Sequence, residues 1–347
     1  MHTRAVSWLR HRLGRVVVMS YALALFLPGP GLWLRRPHPV PLPPTHLTLH
    51  TAPLLLSLVL FSAGLQVPVR ALGRLVRRPK TLLAGLVLHF AIPLAVLPFV
   101  AFLLRRTPDA DGGSGLLTAM ILVVAMPVAA GATVWTDKGD GDQPTMVGLV
   151  LASTLLSPLT TPLLLATLAP LLSGGYAHTL AATGRLAEGG FALTSVVLPC
   201  AAGLLGALVL PERPVHRLQL TVTPLALTGS LLLTYVNASG ALGSVLTRPR
   251  PLLFAAALAV AALVCLLSFA LGRAAARVLR LEAGTASSLT LACGMNNSSA
   301  SAVLITASLP DKPHLLLPVL AYGLLQKTAA SRIVTRLRRD PAPPAGP

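Results

Sequence analysis

"GMNNSSAS", residues 294–301, interrupts an apolar run that extends from about residue 284 to about 309. A helix facing lipid would carry Leu or Val where this stretch has Gly294, Asn296, Asn297, Ser298, Ser299 and Ser301. Neighbouring side chains diverge by about 100° around a helix, so two adjacent amides cannot both serve one packing face. In hydrocarbon, irregular backbone persists only where it is buried in protein or lines a wet cavity. The stretch therefore reads as a break in a membrane-spanning helix, with Asn296 and Asn297 as amide donors and acceptors at the break. Small hydroxyls also glue helices together in membranes, and that reading stays open for Ser298, Ser299 and Ser301.

Composition supports the membrane setting. The 347 residues are 54% hydrophobic and 11% charged, with a mean hydropathy of +0.74, whereas soluble domains carry about 25% charged residues. The net charge of +18 is not gathered into a basic, aromatic-interleaved domain, which argues against a nucleic-acid partner. Basic residues instead form short runs between apolar segments, such as Arg70, Arg74, Arg77, Arg78 and Lys80. Apolar runs long enough to cross about 30 Å of hydrocarbon fall near 16–34, 47–67, 81–104, 115–136, 145–171, 191–211, 218–238, 251–272, 284–309 and 313–331. A cytoplasmic N-terminus puts 20 of the 28 Lys and Arg on the inside, so both termini are expected in the cytoplasm of a bacterial-type inner membrane. The first run has the outline of a signal peptide, but "LPGPGLWLRR" (27–36) lacks a small-residue cleavage pattern, and a retained helix is expected. Pro-rich "RRPHPVPLPP" (35–44) reads as an external loop.

Ten spans divide into five and five, and a half with an odd number of spans inserts its copy upside down. The expected organisation is an all-α membrane protein: a cytoplasmic N-terminus (1–15), a first repeat (16–171), a second repeat (191–331), and a disordered basic, Pro-rich tail (332–347). Inverted repeats of this kind bind substrate near the midplane where discontinuous helices meet. The fourth span of each half is interrupted, by "MPVAAGATVWT" (126–136) with Pro127 and Gly131, and by the stretch around Gly294. His89 lies well inside the third span, where a structural role and a proton or substrate role are both open. Cys200, Cys265 and Cys293 fall in apolar segments with no CxxC spacing and read as core residues.

Several stretches resemble the bile acid:sodium symporter family: "LFSAGLQVPVRALGRLVRRPK" (60–80), "PVAAGATVWTDKGDGD" (127–142), "LASTLLSPLTTPLL" (151–164), "LACGMNNSSASAVL" (291–304) and "LPVLAYGLLQK" (317–327). The resemblance implies ten helices in a panel and a core domain, with discontinuous spans four and nine crossing in the core. It also implies symport of an organic anion with sodium, the substrate binding beside the crossing. Carried over, it makes Thr133, Thr136, Asn296, Asn297 and Ser298 candidate substrate residues, with His89. A degenerate sodium site would comprise Thr133, Cys293, Met295, Asn296 and Asn297. Sodium-coupled relatives have Glu-x-Gly-Met-Gln in span nine, where this chain reads Ala292, Cys293, Gly294, Met295, Asn296. The Ser-Asn pair of span four falls on Ala132 and Thr133, the hydroxyls of span five on Met146 and Val150, and the Gln of span three on Leu88. The expectation is a secondary carrier of a carboxylate, sulfonate or bile-acid-like anion in contact with membrane lipid, needing no cofactor beyond sodium and with sodium coupling weak, altered or absent. No GxxxxGK[ST], HExxH or GxSxG occurs, which argues against an ATP-driven pump and an intramembrane enzyme. A sensor that keeps the carrier fold is the alternative. Oligomeric state is not legible.

Overall fold

Proline and glycine cut an otherwise continuous run of helix-forming apolar sequence into the elements of the computed structural model, which describes residues 13–42, 45–68, 79–105, 113–247, 251–309 and 311–339. The first apolar run is two helices, α1 (Leu13–Phe26) and α2 (Pro28–Arg35), bent by 91°. Pro28 lacks the N–H that would continue α1 and sits at the first helical position of α2, where none is needed. Where an external loop is expected at 35–44 in an all-α protein, β1 (His38–Leu42) pairs antiparallel with β2 (Thr45–Leu49). Two strands have only edges, and edge positions accept the missing N–H of Pro39 and Pro41.

Beyond the strands come α3 (Thr51–Leu65), α4 (Pro79–Leu104), α5 (Ser114–Val124), α6 (Ala132–Lys138) and α7 (Gln143–Leu168). Then follow α8 (Gly175–Leu186), a π-helical segment (Ala187–Val197), α9 (Leu198–Val209), α10 (Glu212–Thr247) and α11 (Pro251–Val278). The last helices are α12 (Ala283–Gly294), α13 (Ser298–Ser308) and α14 (Leu316–Arg339). Helix α14 carries residues 332–339 of the expected disordered tail in regular structure; residues 1–12 and 340–347 lie outside the described residues. Among the described residues, five helices are long and apolar enough to cross a membrane, and six if the bent α1–α2 pair counts as one. Their outward faces carry large exposed apolar side chains, such as Leu83 and Val87 on α4 and Leu252 and Leu266 on α11. Apolar surface on that scale requires lipid rather than water.

The helices pack in two groups. In one, α3 lies on α9 and α10, while α1 and α2 lie on α10. Two glycines bring α3 and α9 into backbone contact: a Cβ at Gly64 would stand 2.1 Å from the Cys200 carbonyl oxygen, and one at Gly203 would stand 2.1 Å from that of Phe61. In the other group, α11 packs on α12, α14 and α4, and α7 packs on α4, α8 and α12. Pro158 inside α7 frees the Thr154 carbonyl, which accepts the Ser157 hydroxyl at 2.7 Å instead. The turn after α6 places Asp140 at φ 49° and docks on the start of α12, where the Asp142 N–H donates to the Gly284 carbonyl at 3.0 Å.

Candidate functional site

Both interruptions read from the sequence are breaks, and they touch. Residues 125–131 separate α5 from α6, and residues 295–297 separate α12 from α13. The two unwound segments run antiparallel, with Val128 opposite Asn296. The Ala129 N–H donates to the Met295 carbonyl at 2.8 Å, and the Asn297 N–H donates to the Pro127 carbonyl at 2.9 Å. Four half-helix ends are thereby tied together deep in the protein.

Several further polar groups of the crossing find side chains. The Thr161 hydroxyl donates to the Ala125 carbonyl at 2.8 Å, and the Val128 N–H donates to the Ser153 hydroxyl at 3.1 Å. Helix α14 serves the other break: Gln326 Oε1 accepts the Asn296 N–H at 2.9 Å, and Gln326 Nε2 donates to the Asn296 carbonyl at 3.0 Å. The Tyr322 hydroxyl donates to the Gly294 carbonyl at 3.1 Å and accepts Asn296 Nδ2 at 2.9 Å. Asn297 caps α13, its side-chain oxygen accepting the Ala300 N–H at 3.1 Å. Glycine at 294 is required by space rather than by bending, since a Cβ there would stand 2.5 Å from the Phe269 ring. Gly131 has an ordinary helical φ of −63° and open space around it, so the break in the first half does not depend on it.

A cavity of about 1820 Å³ opens beside the crossing. One wall is the crossing itself: Ala129, Ala130, Thr133, Met295, Asn296, Asn297 and the first residues of α13. The facing wall comes from α1, α3 and α10 and mixes Val17, Leu56, Val59 and Leu227 with Gln66 and Gln219. The lining carries Arg15, Lys138 and Lys327 against one carboxylate, Asp137, so its field favours anions. Lys138 lies over Trp135, with Nζ 5.0 Å from the ring centroid.

Of the candidate substrate residues, Thr133, Asn296, Asn297 and Ser298 come together on the cavity wall. Thr133 turns its hydroxyl to the Ala130 carbonyl at 2.8 Å. Thr136 is fully buried away from that wall, its hydroxyl without a hydrogen-bond partner. His89 is buried outside the lining as well, its ring edge-on to Phe90 with centroids 5.3 Å apart. Of the candidate sodium residues, Met295 reaches the lining and Cys293 does not; Cys293 packs against Gly272. Of the positions that the resemblance matches to polar groups of sodium-coupled relatives, Ala292, Ala132, Met146 and Val150 are buried and apolar. Sequence reasoning missed Tyr322, Gln326 and Lys327. Their signal was there: two polar residues spaced by four, followed by a charge, inside the apolar run 313–331.

A sequence profile described as the Sodium Bile acid symporter family matches residues 53–248, more than half of the chain. The chain belongs to the sodium bile acid symporter family. An uncharacterized sodium-dependent transporter of Bacillus subtilis (strain 168), YocS, is 23% identical over 290 residues, which cover 81% of this chain and 80% of that protein. The family member described here is accordingly an integral membrane protein and a transporter. The profile spans the first break, and the second break lies beyond its end. The second break is nevertheless built as its structural partner.

Proposed function

We propose that the protein is a secondary carrier for a small organic anion that works by alternating access and binds its substrate at the paired breaks. The observation that carries this reading is the cavity wall itself, where the N-terminal end of α13, from Asn297 to Ser299, meets a basic lining. Helix N-termini present N–H groups and a partial positive charge to carboxylates and sulfonates. The apolar residues of α1, α3 and α10 suit an aliphatic or steroid body, and about 1820 Å³ is ample for one. Ten spans in two inverted halves fit the helix order, the fourth span of each half being the broken one. With both termini cytoplasmic, the lining residues near the start of α1, the end of α3, the end of α6 and the end of α14 lie on the cytoplasmic side. The conformation is then inward-open.

Sodium coupling is weak or absent in this proposal. Sodium binds through several oxygens, helped by a formal negative charge nearby. Here the carbonyls of Ala125, Gly294 and Asn296 are occupied by Thr161, Tyr322 and Gln326 and those of Pro127 and Met295 by the paired backbone, and among the described residues no carboxylate lines the cavity beyond the exposed Asp137. Among the described residues, no group of three or more His, Cys, Asp or Glu is placed to hold a metal ion. Uptake of a transported anion into proteoliposomes should proceed at the same rate with an inward sodium gradient as with potassium. Strong sodium dependence at ordinary affinity would overturn this. Changing Asn296 and Asn297 together to Leu should abolish the thermal stabilisation that an anion gives, because a ligand stabilises only the state that binds it. An unchanged shift would move the site elsewhere.

A further inference from the structure

Lys327 is a charged residue in an apolar helix that no part of the transport frame requires. It sits one residue after Gln326, whose side chain holds the second break, and on the same face of α14 as the cavity residues Ser331, Val334 and Thr335. These recur at intervals of four, three and one, the spacing of a single helix face. The lysine at the head of this face stands beside the crossing, while Thr335 lies two turns further along. Among the described residues, no hydrogen bond or ion pair engages the Lys327 ammonium. An ionisable side chain inside a membrane protein is expensive to keep and nearly always pairs with something. Here the partner has to come from the cavity.

We infer that Lys327 is the fixed counter-cation of the substrate site, binding the carboxylate or sulfonate of the transported anion beside Asn297 and Ser298. This rests on the organic-anion reading above and adds to it the group that recognises the charge. It also gives a physical reason for the missing carboxylates. An ammonium fixed in the wall neutralises the anion during its passage, so a sodium ion carried for that purpose is dispensable.

Neutral and charged ligands separate this from a structural role. The purified full-length protein is screened by thermal shift against carboxylates and sulfonates, including cholate and decanoate. Their uncharged methyl esters, chloride and inorganic phosphate serve as controls. The wild type should bind the free acids more tightly than the esters, equally in sodium and potassium salts. Lys327→Gln should weaken the acids roughly ten- to a hundredfold, as expected for loss of a charged hydrogen bond, and leave the esters unchanged. Lys327→Arg should keep most of the preference. Without ligand, Lys327→Gln should melt no lower than the wild type, since no protein group loses a partner. Acid binding unaltered in Lys327→Gln would overturn the role of the lysine while leaving the anion carrier standing. A misfolded glutamine variant would also overturn it, by making the lysine structural. If no organic anion stabilises the wild type, the carrier reading falls first and this inference with it. A response to chloride or phosphate equal to that of the organic acids would assign the lysine to inorganic anions and overturn it as well.

Discussion

Gly64→Ala should yield little folded protein. The added Cβ would stand 2.1 Å from the Cys200 carbonyl oxygen and 2.8 Å from the Leu204 nitrogen, and both are backbone atoms of α9. No side chain can rotate out of the way, so the two helices must part along their whole contact. Overpacking of a core commonly costs about 1–3 kcal/mol, and this contact belongs at or above the top of that range because only rigid helices can yield. Gly203→Ala meets the Phe61 carbonyl in the same way and should behave alike. Gly294→Ala provides the contrast. Its Cβ meets the ring of Phe269, a side chain, so Phe269→Ala in the same molecule should restore much of the loss. Melting temperature and monodispersity in detergent read all three. A Gly64→Ala protein that melts with the wild type would mean that α3 and α9 do not touch as described.

Gln326→Leu should destabilise the second break. It leaves the Asn296 N–H, bonded at 2.9 Å, without a partner in a buried break, while the Asn296 carbonyl loses one of its two donors and keeps the Ser298 N–H at 2.8 Å. An unmet buried group costs about 1–3 kcal/mol, which sets the scale of the loss. Tyr322→Phe should cost a comparable amount. It removes the donor to the Gly294 carbonyl and the acceptor for Asn296 Nδ2, but the Asn296 backbone stays held by Gln326. The effect on function follows from geometry. Asn296 precedes the Asn297 cap of α13, so loosening one shifts the other and the N-terminus behind it. Gln326→Leu should therefore lower both thermal stability and anion binding. If binding is lost with no change in melting temperature, Gln326 acts on the ligand directly rather than through the break.

The breaks themselves were legible because lipid is an unforgiving solvent: two adjacent amides beside a glycine have no ordinary place in an apolar run. Their pairing was legible too, since Pro127 and Gly294 occupy corresponding spans. The reason for the glycine was not. Position 294 needs it because Phe269, on α11, lies against it, whereas Gly131 has an ordinary helical φ and open space around it. His89 illustrates the same limit. A histidine inside a span announces that something must be hydrogen-bonded, but only the packing of α4 on α5 shows that it is buried outside the cavity lining.

By itself the sequence determined the membrane class, the approximate helix positions, the two interruptions and the absence of the sodium-site carboxylate. The first three follow from local composition and the 30 Å constraint of the bilayer, and the last from the resemblance to sodium-coupled relatives. Only the tertiary structure decided which donors the broken backbone uses, that α1 and α2 meet at 91°, and that β1 pairs with β2. It alone set Lys327 against a cavity with no protein partner among the described residues. These depend on which distant side chain arrives at a given carbonyl, Gln326 being 30 residues from Asn296 and Thr161 being 36 from Ala125. Local periodicity carries no record of such meetings.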